Sequence, residues 1–148
     1  MAESLHELIE ELSSADRQER IELLIDLARI LPALPERYLA ARNSDHRVEE
    51  CQSPVYLFVE VDEAGLAHLF ADVPVEAPTV RGFVSLLVES LNARPVEAIL
   101  AVPDDLVVRT GVQEILGMQR VSGLNGVLRR LKRMAHQSIA SGHSSPKT

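Results

Sequence analysis

The chain has 148 residues, a formal net charge of −7, 46 % apolar residues and 25 % charged residues, an ordinary globular composition sized for one domain with its own core. The acidic balance and the 3 % of aromatic residues supply neither the basic footprint nor the stacking side chains of a nucleic-acid binder. A single cysteine, Cys51, excludes an internal disulfide and a cluster held by thiolates alone. No apolar run approaches the ~20 residues of a membrane span.

The first 11 residues carry four acidic side chains and no apolar stretch, which fits no secretory leader. The expected setting is therefore a reducing cytoplasm, where a lone thiol stays free. Leu5, Leu8, Ile9 and Leu12 recur with the spacing of an amphipathic helix. Asp16, followed by Glu19, reads as an N-cap with a capping box. Ile21, Leu24, Ile25, Ala28 and Leu31 continue from it as a second helix, stopped by Pro32 and Pro35. Residues 36–50 read as polar and irregular, with Asn43-Ser44-Asp45 as a loop signal.

After Cys51 the pattern changes. Val55 to Val61 is β-branched and aromatic, a strand. Asp62-Glu63-Ala64-Gly65 is a turn, and Leu66 to Ala71 returns as the second strand of a hairpin. Residues 73–78 form a loop. Val80, Phe83, Val84, Leu87, Val88 and Leu91 restore helical spacing. Pro95 to Leu100 reads as a short helix with proline in its first turn, and 102–117 as a broken helix. A last amphipathic helix starts near Gly123. Its basic stretch, Arg129-Arg130-Leu131-Lys132-Arg133, reads as a solvated face with cations in the C-terminal turns. Residues 1–136 form the expected single domain and 137–148 a flexible tail. Strands that cluster instead of alternating with helices give an α+β fold, a small antiparallel sheet packed by helices.

Cys51 is the strong nucleophile candidate. A lone cysteine is most often a small buried hydrophobe. Here, however, Asp45 to Glu50 precede it and Gln52-Ser53-Pro54 follow, so the thiol stands where a polar loop enters a strand, a usual place for reactive groups. Sulfur exchange requires the thiolate. His46 and Arg47 would favour that form, whereas Glu49 and Glu50 would oppose it. If the carboxylates prevail, the thiol is sluggish until a partner docks.

The stretch from His46 to Tyr56, with Cys51-Gln52-Ser53 at its centre, resembles the signature of the SufE family: Asn or His, a Val two residues on, then Gly-Cys-Gln-Ser before an aromatic-bearing strand. Leu31-Pro32-Ala33-Leu34-Pro35 resembles the element closing the family's second helix. Ala77 to Phe83 and Pro95 to Leu100 resemble its next two elements. Leu116 to Leu124 is similar to Leu-x-Pro-x-Arg-x-x-Gly-Leu, retaining Leu116, Arg120, Gly123 and Leu124. Glu50 replaces the family glycine, which implies an ordinary backbone angle there, and Met118 replaces a proline.

The resemblance implies a SufE/IscU-like fold with a three-stranded antiparallel sheet. It implies that Cys51 accepts persulfide sulfur from a pyridoxal-phosphate, SufS-like cysteine desulfurase, stimulates that enzyme and delivers sulfur to a SufB-type scaffold for iron–sulfur cluster assembly. It casts His46, Arg47, Glu50, Gln52, Ser53 and Arg120 as loop-shaping or partner-binding residues. It requires no cofactor and no metal on this chain, and a carrier in place of an independent catalyst. One alternative is a SufE-like carrier serving another desulfurase and acceptor. Another is an interaction module that transfers nothing. A cysteine hydrolase or thiol peroxidase lacks its sequence signature, and a metal scaffold lacks ligand spacing among the five histidines.

Overall fold

The structure, a computed structural model, describes residues 4–140. Capping boxes open both N-terminal helices. In α1 (Leu5–Ser14), Ser4 and Glu7 exchange side-chain-to-backbone bonds of 3.0 and 3.1 Å. In α2 (Arg17–Ile30), Asp16 and Glu19 do the same at 2.8 and 3.0 Å, as the spacing predicts. A four-residue helix, α3 (Glu36–Leu39), follows the two prolines. The hairpin is β1 (Tyr56–Val61) and β2 (Leu66–Asp72), antiparallel, with Phe58 opposite Phe70 and Gly65 turning at φ 83°.

Helix α4 (Pro78–Leu91) is the centre of the molecule and is buried on nearly every side. It crosses α2 so closely that a Cβ on Gly82 would stand 2.1 Å from the Leu24 carbonyl oxygen. Only glycine allows that approach. The remaining elements are β3 (Arg94–Pro95), α5 (Glu97–Leu100), α6 (Leu106–Thr110), a 3₁₀ turn (Val112–Glu114) and α7 (Met118–Ala140). Strand order is β1-β2-β3, all antiparallel. Ala67, Leu69 and Ala71 of β2 join the aliphatic core, which includes Leu24, Phe83, Leu87, Leu124 and Leu128. The opposite face of the sheet is covered by α3, whose Tyr38 stacks on Phe58 at 4.4 Å and meets Phe70 at 5.1 Å. The fold is α+β with a small antiparallel sheet.

Four readings of the sequence are corrected. Residues 36–39 are helical instead of irregular, because Tyr38 anchors the turn on the sheet. Pro95 does not open a helix: it pairs with Leu66 in β3, at an edge where its missing N–H is tolerated, and α5 begins at Glu97. The last helix begins at Met118 instead of Gly123 and continues to Ala140, past the domain boundary placed at 136. The expected tail beyond 140 lies outside the described residues. Lastly, the basic stretch keeps Arg129 and Arg133 exposed as expected but is mid-helix, not in the C-terminal turns, and partly engaged: Lys132 donates to the Val102 carbonyl and to Asp104, Arg129 to Glu50, and Arg130 to the Asp45 carbonyl. No helix among the described residues is long and apolar enough to cross a membrane.

Candidate functional site

Residues 46–48 run antiparallel to the start of β1. The Leu57 N–H donates to the His46 carbonyl at 2.9 Å, and the Val48 N–H to the Val55 carbonyl at 2.8 Å. Arg47 and Tyr56 form a bridge pair. The chain between these rungs must turn back on itself, and Cys51 lies at the turn, its N–H donating to the Val48 carbonyl at 3.2 Å. The expectation of a loop-to-strand junction is met. The thiol is nevertheless buried, with 6 % of its surface exposed.

The thiol is covered from below by α7. A Cβ on Gly123 would stand 2.9 Å from the Cys51 Sγ and 3.4 Å from its Cα. The glycine therefore makes the notch in which the sulfur rests. Beside it is a cavity of about 70 Å³ lined by Gln52, Ser53, Val80, Gln119, Arg120 and Gly123 together with Cys51. That is several times the space one water molecule requires. The lining is mixed, since only Val80 is a large apolar side chain.

Burial pushes the Cys51 thiol up to about 11, the neighbouring Glu50 carboxylate adds to the rise, and the Arg47 guanidinium partly offsets it. Of the four flanking charges weighed in the sequence, only Glu50 and Arg47 act on the thiol, with the expected signs, and burial outweighs both. At pH 7 the thiolate is on the order of one molecule in ten thousand. Glu50 itself is held below the usual carboxylate range, first by a hydrogen bond from its own backbone N–H and then by Arg129. Its backbone takes no positive φ, since Ala93 is the one non-glycine residue among the described ones that does. The ordinary angle expected at Glu50 is therefore observed.

Of the residues singled out in the sequence, Gln52, Ser53 and Arg120 line the sulfur cavity. Arg47 ties the loop, its Nη2 donating to the Gln52 carbonyl at 3.4 Å. Glu50 turns outward to Arg129, at 3.4 Å. His46 is not brought to the sulfur. Its ring stacks on Phe58 at 4.4 Å and its Nδ1 faces the Asn43 Oδ1 at 3.3 Å, so it shapes the loop through its backbone and ring. Sequence reasoning missed Val80, Gln119 and Gly126. A Cβ on Gly126 would meet the Glu50 Cβ at 2.6 Å. The available signal was two glycines three apart inside a helix, a costly arrangement unless something packs there.

The profile of the family described as SufE, Fe-S metabolism associated domain, matches residues 6–135. An uncharacterised SufE-like protein of Mycobacterium tuberculosis is 34 % identical over 134 residues, covering 90 % of this chain and 92 % of its own. The cysteine desulfuration protein SufE of Plasmodium vivax is 29 % identical over 120 residues, 80 % of this chain and 46 % of that longer protein. A solution structure of a hypothetical protein from Thermus thermophilus superposes with a TM-score of 0.78 at 31 % identity, covering 92 % of this chain and 96 % of that one.

Proposed function

Since the chain belongs to the SufE family, we propose that Cys51 accepts sulfur from a SufS-like, pyridoxal-phosphate cysteine desulfurase and hands it to a SufB-type scaffold for iron–sulfur cluster assembly. A role in sulfur supply to iron–sulfur metabolism is what the family supports as a whole. The observation that carries the finer reading is the only cysteine of the chain, set at a loop turn beside a cavity with room for one more sulfur atom.

The step needs no external oxidant. The Cys51 thiolate attacks the outer sulfur of a cysteine persulfide on the desulfurase. The new S–S bond forms on Cys51 as the old one breaks, and its electron pair leaves on the partner's thiolate. Arg120, at the cavity rim in the first turn of α7, is suited to dock on acidic groups of the partner or to steady the loop during transfer. Gln52 and Ser53 supply polar walls for the loaded sulfur. A high thiol pKa in the resting protein restrains exchange with small disulfides until docking changes the surroundings of Cys51.

The test is intact-mass spectrometry after mixing the protein with a SufS-like desulfurase and cysteine, beside Cys51→Ser. A reducible gain of one sulfur atom on the wild type alone, with faster desulfurase turnover, is the expected result. Faster turnover with no sulfur gain overturns the carrier role in favour of a docking activator. Neither effect with one desulfurase and both with another identifies a carrier for a different pathway. Glu50 in place of the family glycine makes that outcome informative, because it alters the surface beside Cys51.

A further inference from the structure

The arginine stripe of α7 takes no part in the sulfur-transfer step described above, yet it touches the segment leading into Cys51 at two points, Glu50 and Asp45. Gly123 and Gly126 lie one turn apart on the helix face that receives Cys51 and Glu50. One further turn along, the Arg129 Nη2 donates to the Glu50 Oε2 at 3.4 Å. The next residue, Arg130, donates to the Asp45 carbonyl. Between Val48 and Val55 the backbone's own contacts are two turn bonds, Cys51 N–H to Val48 O and Val55 N–H to Ser53 O. Much of the loop's placement therefore falls to side chains.

Both partners of the Glu50–Arg129 pair are substantially exposed, with 38 % and 58 % of their side-chain surface open. Such a pair shifts an equilibrium only a few-fold and is easily lost to a competitor. Too weak to add much stability, it is well suited to bias a loop between two positions. Arg133 also lies within electrostatic reach of Glu50, so the stripe offers three adjacent cations to an incoming anion.

We propose that Arg129 and Arg130 form a clasp that holds the Cys51 loop down on α7, and that a partner protein releases it by offering carboxylates to the same guanidinium groups. The proposal rests on Cys51 being the reacting group and names what governs access to it.

The test is the rate at which iodoacetamide, a small neutral reagent, alkylates Cys51 without any desulfurase. In Arg129→Gln/Arg130→Gln two positive charges near the loop are lost. A purely electrostatic role would then slow alkylation, because the thiolate is less favoured. A clasp predicts the opposite sign, an acceleration of about threefold to tenfold as the loop opens more often. Gly126→Ala changes no charge, but its new Cβ displaces Glu50 and should accelerate alkylation too. If the double arginine variant does not fold, Arg129→Gln alone decides the matter, because it removes the bond to Glu50 and keeps that of Arg130 to Asp45. Slower or unchanged alkylation in the folded variants overturns the clasp. Poly-glutamate, at matched ionic strength, should speed alkylation of the wild type but not of the arginine variant, and poly-lysine should not. No effect of poly-glutamate overturns release by carboxylates. Because the assay contains no desulfurase, its failure leaves the sulfur-acceptor reading intact, and a missing sulfur gain in the mass measurement leaves the clasp intact.

Discussion

Gly123→Ala sets two effects of opposite sign against each other. In a helix interior, alanine is favoured over glycine by about 1 kcal/mol, so on propensity alone the variant is stabilised. The new Cβ, however, would stand 2.9 Å from the Cys51 Sγ, at least about 0.6 Å inside ordinary contact distance. Overpacking of this kind costs about 1–3 kcal/mol. The expected net effect is a destabilisation of up to about 2 kcal/mol, or a Tm lower by up to about 6 °C at this chain length. Cys51→Ala removes the clashing atom. The nearest remaining atoms are the residue-51 Cα at 3.4 Å and the Glu50 carbonyl oxygen at 3.6 Å, which are tolerable. In that background Gly123→Ala should stabilise by about 1 kcal/mol. Urea denaturation of the four proteins gives a coupling energy of about 1–3 kcal/mol between positions 51 and 123. Equal stabilisation by Gly123→Ala in both backgrounds would refute the claim that the glycine exists to seat the sulfur.

The Cys51 thiol has a folded-state pKa pushed up to about 11 from an ordinary 9.0; its alkylation rate should therefore climb about tenfold per pH unit from pH 7 to 10, and a plateau near pH 9 would contradict its burial. The same shift ties folding to pH: the folded state holds this proton more tightly, so its contribution, on the order of 2 kcal/mol, is complete below about pH 9 and lost as pH rises through about 11. Cys51→Ser should flatten the decline of stability over that window, as followed by urea midpoints. Arg20 is 6 % exposed and donates to the carbonyls of Leu12, Ser13, Ala15 and Gly111 and to Glu114, so Arg20→Met should cost about 2–4 kcal/mol by orphaning those oxygens, measured as a lower urea midpoint at unchanged slope. Arg120→Ala, at an exposed rim position, should leave stability within about 0.5 kcal/mol and slow sulfur loading from the desulfurase several-fold; unchanged loading would remove it from the docking surface.

What could be read from the residues was whatever local chemistry dictates. Asp16 and Glu19 form their capping box because three-residue spacing alone decides it. The hairpin follows from stiff side chains on either side of Gly65, and the break in 102–117 falls at Gly111, which caps α6 at φ 76°. What could not be read depends on contacts distant in sequence. α3 has too few residues for periodicity and is held by Tyr38 on the sheet. β3 has two residues and exists because β2 is there to pair with it. The glycines of α7 look like breakers until the loop that fills their notches is in place. For the site, Cys51 and its polar flanks were legible, and so was the contest between Arg47 and Glu50 over the thiolate. That His46 would turn to Phe58, and that Arg129 would reach back to Glu50, required the fold.

The pKa of Cys51 alone is a weaker restraint than it first looks. A rise from 9.0 to about 11 lowers the thiolate population about a hundredfold at neutral pH, but the more basic thiolate is also about eightfold more nucleophilic at a Brønsted slope near 0.45. The net loss is only about tenfold. The structure adds steric protection: 6 % exposure, a floor made by Gly123 and contacts of α7 with Glu50 and, ahead of the loop, with Asp45. To attack, the Cys51 thiolate must reach the outer sulfur in line with the S–S bond that breaks, and no change of protonation provides that access. On the proposed function, a partner that activates Cys51 would therefore have to act chiefly by moving the loop, and a fall in pKa would follow from the exposure that movement brings. A partner that only supplied positive charge to the closed site would recover the tenfold and leave the larger barrier standing.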